Sequence, residues 1–206
     1  MRAVIISGGE ISDYDYIKSR IMQFCADIII CADSGYNHAV KMELAVNLIA
    51  GDFDSIGKIP ENIETARYPS EKNQTDTEIA LSHAREAGAQ EFLIVGATGT
   101  RTDHMLTNIF MLKNCLECGE RAAIIDEHNR IRITDSKLEI KDKKDSIISL
   151  VPLTDCIGVT TEGLKYPLKS AELKLGEGFG VSNVMIGDKA LVLVDKGIML
   201  VIEARD

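Results

Sequence analysis

Apolar positions along this chain follow two regimes. Up to about residue 126, short continuous apolar runs alternate with stretches where apolar residues recur every three or four positions. Runs at residues 3–7, 27–32, 44–50, 91–95 and 121–126 predict buried strands, with a shorter one at 63–68 after Pro60. Residues 14–24 place Tyr16, Ile17, Ile21 and Phe24 at helical spacing. Residues 36–42, 76–87 and 102–117 predict three further helices, the last two stopped by Gly88 and Gly119. Strand and helix alternating through short connections predict a parallel sheet with helices on both faces. Ligands of such sheets bind beyond the carboxyl ends of the strands.

The second regime begins near Asn129. Short alternating runs at residues 131–133, 138–140, 147–151, 171–175, 191–194 and 198–202 are separated by Gly163, Gly176-Glu177-Gly178, Gly187-Asp188 and Lys196-Gly197. That pattern predicts a small antiparallel, sandwich-like β domain. The expected fold class is therefore α/β, with a parallel-sheet domain at residues 1–127 followed by an all-β domain at 128–206.

The chemistry-bearing residues collect on the predicted binding edge. Asp33-Ser34 follows the second strand, and Gly8-Gly9 follows the first. The third strand delivers Gly51-Asp52-Phe53-Asp54-Ser55. If this stretch is extended, Asp52 and Asp54 share a face, about 7 Å apart along the backbone, and Phe53 points away. Two crowded carboxylates repel unless a cation lies between them, and a hard divalent ion such as Mg²⁺ suits oxygen ligands. An Asp-rich turn after a strand is the competing reading.

Asn73-Gln74-Thr75-Asp76-Thr77-Glu78 opens a helix. Thr75 and Glu78 have the spacing of a capping box, which does not require Asp76. The helix N-terminus also offers free N–H groups to a phosphate. Gly96-Ala97-Thr98-Gly99-Thr100-Arg101-Thr102-Asp103-His104 joins a strand to a helix. Its glycines allow close approach to an anion, and Arg101 presents a fork that fits phosphate oxygens. It is neither a Walker A loop nor G-x-G-x-x-G. Thr100 and Asp103 could also serve as a plain helix cap.

Composition narrows the function. The 206 residues are 45% apolar and 27% charged, with formal net charge −9 and no Lys/Arg-rich block. That argues against broad binding to nucleic acid or an anionic membrane. No apolar run reaches membrane-spanning length, and the first residues do not read as a signal peptide. Five cysteines, an odd number, suggest reduced thiols in a cytoplasmic protein. Cys115 and Cys118 stand without a second pair or a nearby His, which favours two thiols on a helix face over zinc or redox chemistry. No H-E-x-x-H pair occurs.

Taken in order, Gly51-Asp52-Phe53-Asp54-Ser55, Gln74-Thr75-Asp76 and Gly96-x-x-Gly99-x-Arg101-x-Asp103-His104 resemble the signature motifs of the thiamine pyrophosphokinase family. Asp33-Ser34-Gly35-Tyr36-Asn37 is similar to that family's Ala-Asp-Gly-Gly-Ala-Asn stretch, departing at Ser34 and Tyr36. Thr161-x-Gly163-Leu164-Lys165-Tyr166-Pro167-Leu168 and Gly180-Val181-Ser182-Asn183 resemble its thiamine-binding β domain. Some members carry Lys at the position of Ile79. The Trp that eukaryotic members stack on thiamine has no counterpart, since the chain lacks Trp.

The resemblance implies transfer of pyrophosphate from ATP to the thiamine hydroxyl, leaving AMP. It implies Mg²⁺ on Asp52, Asp54 and Asp76, with Arg101 neutralising phosphate charge. Asp103 either orients or deprotonates the hydroxyl or completes the metal shell. It implies nucleotide contacts from Asp33, Ser34, Ser55, Asn73, Gln74, Thr75, Thr98, Arg101 and His104, and thiamine contacts from Ser182 and Asn183. It also implies a homodimer whose sites are shared between subunits, and the very apolar run at 198–202 would need covering. A pyrophosphokinase for another alcohol, such as a hydroxymethyl-pterin, and a non-catalytic thiamine-diphosphate sensor are the rivals. A different β domain would mark the first and an incomplete carboxylate set the second.

Overall fold

The structure, a computed structural model, describes residues 1–56, 61–69, 71, 73–99 and 101–205. The chain divides into two compact units, Met1–Glu127 and His128–Asp206. The expected α/β class with a following all-β unit is what the chain adopts.

The first unit runs β1 (Arg2–Ile6), α1 (Tyr14–Phe24), β2 (Ile28–Ala32), α2 (Gly35–Lys41), β3 (Leu48–Gly51), β4 (Glu64–Arg67), α3 (Asp76–Glu86), β5 (Glu91–Val95), α4 (Thr102–Glu117) and β6 (Arg121–Ile125). Its strands pair in parallel in the order β6-β5-β1-β2-β3-β4. The apolar runs are continuous because both faces are covered. Val4 and Ile6 pack with Ile17, Ile21, Tyr36 and Ala39 of α1 and α2, while α3 packs on β1 to β3 and α4 on β6. From β1 the chain steps one way to β4, then returns to place β5 on the other side of β1. The β1/β5 junction is therefore a topological switch point, where open α/β sheets leave a crevice.

The strand expected at residues 44–50 begins only at Leu48. Leu44 is still closing the turn after α2, its N–H donating to Ala39 O at 3.0 Å. The Asn47 side chain accepts from Ile29 N–H at 2.8 Å. Leu44 and Val46 are apolar because they pack on the core, not because they lie in a strand.

The second unit comprises β7 (Asn129–Thr134), β8 (Lys137–Lys141), β9 (Ile147–Pro152), β10 (Cys156–Glu162), β11 (Ala171–Leu173), β12 (Asn183–Val184), β13 (Lys189–Leu193) and β14 (Met199–Ala204). Two antiparallel sheets, β12-β9-β14-β7 and β11-β10-β13-β8, share one core that includes Ile140, Ile148, Val159, Val192 and Val201. The apolar segment at 198–202 is largely accounted for inside the unit. β14 is a central strand flanked by β9 and β7, with Met199 and Val201 at 0% exposure. Strand β10 carries no clean alternation in sequence. Gly158 at φ 70 and a register shift between Cys156 and Val159 interrupt its pattern.

Candidate active site

A cavity of about 540 Å³ opens at the carboxyl ends of β1, β2, β3 and β5. Its wall contains Asp33, Ser34, Asp52, Asp54, Ser55, Thr75, Asp76, Thr98, Arg101 and His104. Asn73 and Asp103 are exposed and lie outside that lining. Gln74 lines a separate depression between α3 and α4. Ser182 and Asn183 belong to the β unit.

Asp52 and Asp54 reach the cavity by a different route from the one the alternation predicts. β3 ends at Gly51, and Phe53 has φ 68, in the left-handed region. The Asp54 N–H donates to Asp52 Oδ1 at 3.1 Å, so the segment is a side-chain-stabilised turn. A left-handed non-glycine residue costs about 1–2 kcal/mol, and specific contacts offset that. The Phe53 N–H donates to Asp33 Oδ1 at 3.2 Å. The Arg67 guanidinium lies 5.5 Å from the Phe53 ring centroid and donates to Asp52 O at 3.3 and 3.4 Å. The stretch is thus a turn and a carboxylate-bearing edge at once.

The carboxylates feel one another. Burial, foremost, and then the charges of Asp76 and Asp52 push Asp33 above the ordinary carboxylate range, against N–H groups of Ser34 and Phe53 that pull it down. Thr75 caps α3 with the predicted reciprocal box. Its Oγ1 accepts from Glu78 N–H at 3.2 Å, while Glu78 Oε2 accepts from Thr75 N–H at 2.7 Å. Asp76, the first residue of α3, lines the cavity instead of capping.

Backbone closeness around the β1/β5 junction explains the glycines. A Cβ on Gly9 would stand 2.2 Å from Thr98 O, and one on Gly8 2.0 Å from Ser34 Oγ. The Gly9 N–H donates to Gly96 O at 2.7 Å. Arg101 precedes α4, with no side-chain cap, and its guanidinium forks onto the Asp103 carboxylate at 2.7 and 3.2 Å. That pairing holds Asp103 down to about 2. The alternative cap on Thr100 lies outside the described residues.

Sequence reading passed over Ser7, Thr77 and Asn108, which also line the cavity. Ser7 Oγ and Thr77 Oγ1 share a buried hydrogen bond of 2.9 Å, tying β1 to the start of α3. Asn108 Nδ2 donates to Ala97 O at 2.8 Å. The available signals were a hydroxyl ending an apolar run at the binding edge and a polar residue four places after His104. Burial pushes the Cys115 thiol up to about 12, which leaves it a poor thiolate and fits the helix-face reading of the Cys115/Cys118 pair.

In the β unit the Asn183 amide is turned onto backbone. Its Oδ1 accepts from Tyr166 N–H at 3.0 Å and Val184 N–H at 2.9 Å, and its Nδ2 donates to Tyr166 O at 2.7 Å. Tyr166, Phe179 and Val181 flank an apolar recess of about 360 Å³. Ser182 is exposed at φ 61, its N–H donating to Ser149 Oγ at 3.0 Å.

Residues 22–124 match the family description "Thiamin pyrophosphokinase, catalytic domain", and residues 133–199 match "Thiamin pyrophosphokinase, vitamin B1 binding domain". The chain belongs to the thiamine pyrophosphokinase family. It is 34% identical over 165 residues to a thiamine pyrophosphokinase of Bacillus subtilis (strain 168), covering 76% of this chain and 77% of the relative. The crystal structure of a thiamine pyrophosphokinase from Bacillus subtilis superposes at TM-score 0.89 with 26% identity over the full length of both chains. A thiamin pyrophosphokinase family protein from Enterococcus faecalis gives TM-score 0.84 and 25% identity, again over the full length of both. The catalytic-domain match covers the loops after β2, β3 and β5, so most of the cavity wall falls within it. The vitamin B1 match covers the Tyr166 and Asn183 segments.

Proposed function

We propose that the protein transfers pyrophosphate from ATP to the hydroxyl of thiamine, giving thiamine diphosphate and AMP. The observation that carries this reading is the polar cavity at the β1/β5 switch point, inside the segment that matches the catalytic domain. The hydroxyl oxygen forms a bond to the β-phosphorus. The bond from that phosphorus to the α,β-bridging oxygen breaks, and AMP leaves with the bridging oxygen. The hydroxyl passes its proton to the Asp103 carboxylate.

The cavity wall carries Glu10, Asp33, Asp52, Asp54 and Asp76 against Arg101 and His104. A triphosphate would be repelled by such a wall without cations. All-oxygen donors fit Mg²⁺. Among the described residues no three His, Cys, Asp or Glu groups form a ready-made metal cage. Mg²⁺ is usually held by one or two carboxylates with substrate phosphates and water completing the shell. Asp52, Asp54 and Asp76 are the residues that would hold it. Bound there, Mg²⁺ would neutralise charge on the phosphates.

Arg101 leaves its pairing with Asp103 to meet phosphate oxygens, and Asp103 is then released toward the hydroxyl. Ser34, Ser55, Thr75, Thr98 and His104 supply polar contacts to the nucleotide, as does the Gly8-Gly9 backbone. Asn73 and Gln74 stand beside the entrance to α3 as outer nucleotide contacts. In the β unit, Ser182 offers an exposed hydroxyl to thiamine. Asn183 acts on thiamine chiefly by fixing Tyr166 beside the apolar recess.

The sites are completed across a homodimer. Exposed apolar side chains on the β unit support this, with Tyr166 61%, Phe179 69% and Val181 49% exposed. The free cysteines suit a reducing cytoplasm, and no helix among the described residues is long and apolar enough to cross a membrane. ATP and thiamine are the partners; nucleic acid is not. Thiamine-dependent release of AMP from ATP and Mg²⁺ tests the reaction. Shared sites are tested by mixing inactive Asp54→Asn chains with inactive Ser182→Ala/Asn183→Ala chains under subunit exchange. Recovered activity supports them, and none from demonstrated hybrids refutes them.

A further inference from the structure

The turn after β1 is gripped from behind by a side chain that the reaction does not use. Gly8, Gly9 and Glu10 form one wall of the cavity. Gly9 donates its N–H to Gly96 O, which ties the β1 loop to the β5 loop. Its carbonyl accepts from His38 Nε2 at 2.7 Å. His38 lies in the middle of α2, outside the cavity lining and half-buried.

The bonds around His38 run in one direction only. A carbonyl can only accept, so Nε2 carries the proton. In the neutral ring Nδ1 must then accept, and the Tyr14 hydroxyl donates to it at 2.9 Å. The Tyr14 oxygen in turn accepts from Lys41 Nζ at 3.2 Å, with the ammonium 5.0 Å from the ring centroid. The charged groups facing the imidazole are Lys41 of α2 and Glu127 beyond β6. Burial, chiefly, and the Lys41 charge lower the His38 pKa and favour the neutral ring, against the Gly9 carbonyl and Glu127. Glu127 fixes the far end of the same loop. Its Oε1 accepts from Ser12 N–H at 2.6 Å and Asp13 N–H at 2.9 Å. Asp13 then caps α1 by accepting from Tyr16 N–H at 2.9 Å.

We propose that His38, oriented by Tyr14 and Lys41, is a positioning residue that holds the Gly8-Gly9 turn in the shape that receives the polyphosphate of the nucleotide. The claim rests on reading the cavity as the ATP site. A bond to a phosphate-facing wall acts where reacting groups must be placed closely, and small displacements there reduce rate or binding. His38→Ala leaves a half-buried carbonyl without its donor. His38→Gln puts an amide N–H where Nε2–H stood. Tyr14→Phe keeps the ring but removes the hydrogen bond that orients it from the Nδ1 side, so the imidazole reaches the Gly9 carbonyl in only part of the population.

The test measures amide hydrogen exchange at Gly9 together with steady-state kinetics on the full-length protein. His38→Ala should lower Gly9 protection and raise the KM for ATP, each on the order of ten-fold, with the KM for thiamine unchanged. Gln should recover most of both losses, and Tyr14→Phe should fall between. If His38→Ala does not fold, the Gln and Phe variants carry the comparison. Gly9 protection equal to wild type in His38→Ala, or in Tyr14→Phe when Ala does not fold, overturns the clamp. A KM for thiamine that rises with that for ATP also overturns it, because it marks a general loss of structure. Lost Gly9 protection with unchanged ATP kinetics keeps the clamp but refutes its role in receiving the nucleotide. If wild type neither binds nor consumes ATP, the nucleotide reading fails and the exchange result still decides whether the clamp exists.

Discussion

Replacing Asn183 by Ala should damage the β unit far more than a polar residue beside a turn ordinarily would. Asn183 is 9% exposed, and its amide makes three hydrogen bonds, two to the backbone of Tyr166 and one to Val184 N–H. Each is worth about 1 kcal/mol net, and buried groups left without partners raise that figure. The expected loss is about 3 kcal/mol, a large share of the roughly 5–15 kcal/mol that holds a domain folded. For a unit of this size each kcal/mol lowers the melting temperature by about 4–8 °C, so the β-unit transition should drop by more than ~10 °C. Differential scanning calorimetry reads this directly, and the KM for thiamine should rise while ATP binding stays. Asn183→Asp sharpens the test. It keeps the acceptor for both N–H groups but sets a carboxylate against Tyr166 O, so its carboxyl pKa is raised in the folded state. Its deficit should therefore shrink as pH falls and the protonated acid regains a donor. A melting temperature for Asn183→Ala within about 2 °C of wild type would refute the account of Asn183 as the tether of Tyr166.

Other expectations concern the cavity. Asp52→Asn and Asp54→Asn should abolish turnover yet fold normally, since the amide oxygen of the former can still accept the Asp54 N–H; retained activity at limiting Mg²⁺ would reduce the pair to a turn. Thr75→Ala breaks a formed capping box and should cost about 1 kcal/mol of stability with most activity kept, whereas Asp76→Asn should spare stability and remove activity; the reverse pattern in melts and assays would leave Asp76 only a helix-start residue. His38 has its pKa lowered from the ordinary 6.5. The unfolded chain therefore binds its proton first, so this contribution to stability is full above 6.5 and declines as pH falls from there toward the lower folded value. Melts of His38→Gln should lack that component; an identical pH dependence would count against it.

The alternation of strands and helices was legible because buried parallel strands are written as continuous apolar runs. The binding edge was legible for the same reason, since polar clusters followed directly on those runs. Local geometry was less so. Asp52 and Asp54 looked like one face of an extended segment, but the left-handed Phe53 depends on Asp33 and Arg67, which lie 20 and 14 residues away. Leu44 and Val46 looked like strand because packing alone selects apolar residues. β10 escaped notice because Gly158 bends it out of register. His38 and Asn183 show what single positions cannot: each bonds to backbone brought close only by the fold.

The central claim is which bond of ATP breaks. The protein should be incubated with thiamine, Mg²⁺ and ATP labelled separately in the β- or the γ-phosphate, and the products separated. Transfer of pyrophosphate puts both labels into thiamine diphosphate and leaves AMP unlabelled. Appearance of the γ label alone in thiamine monophosphate, with the β label retained in ADP, would contradict the account.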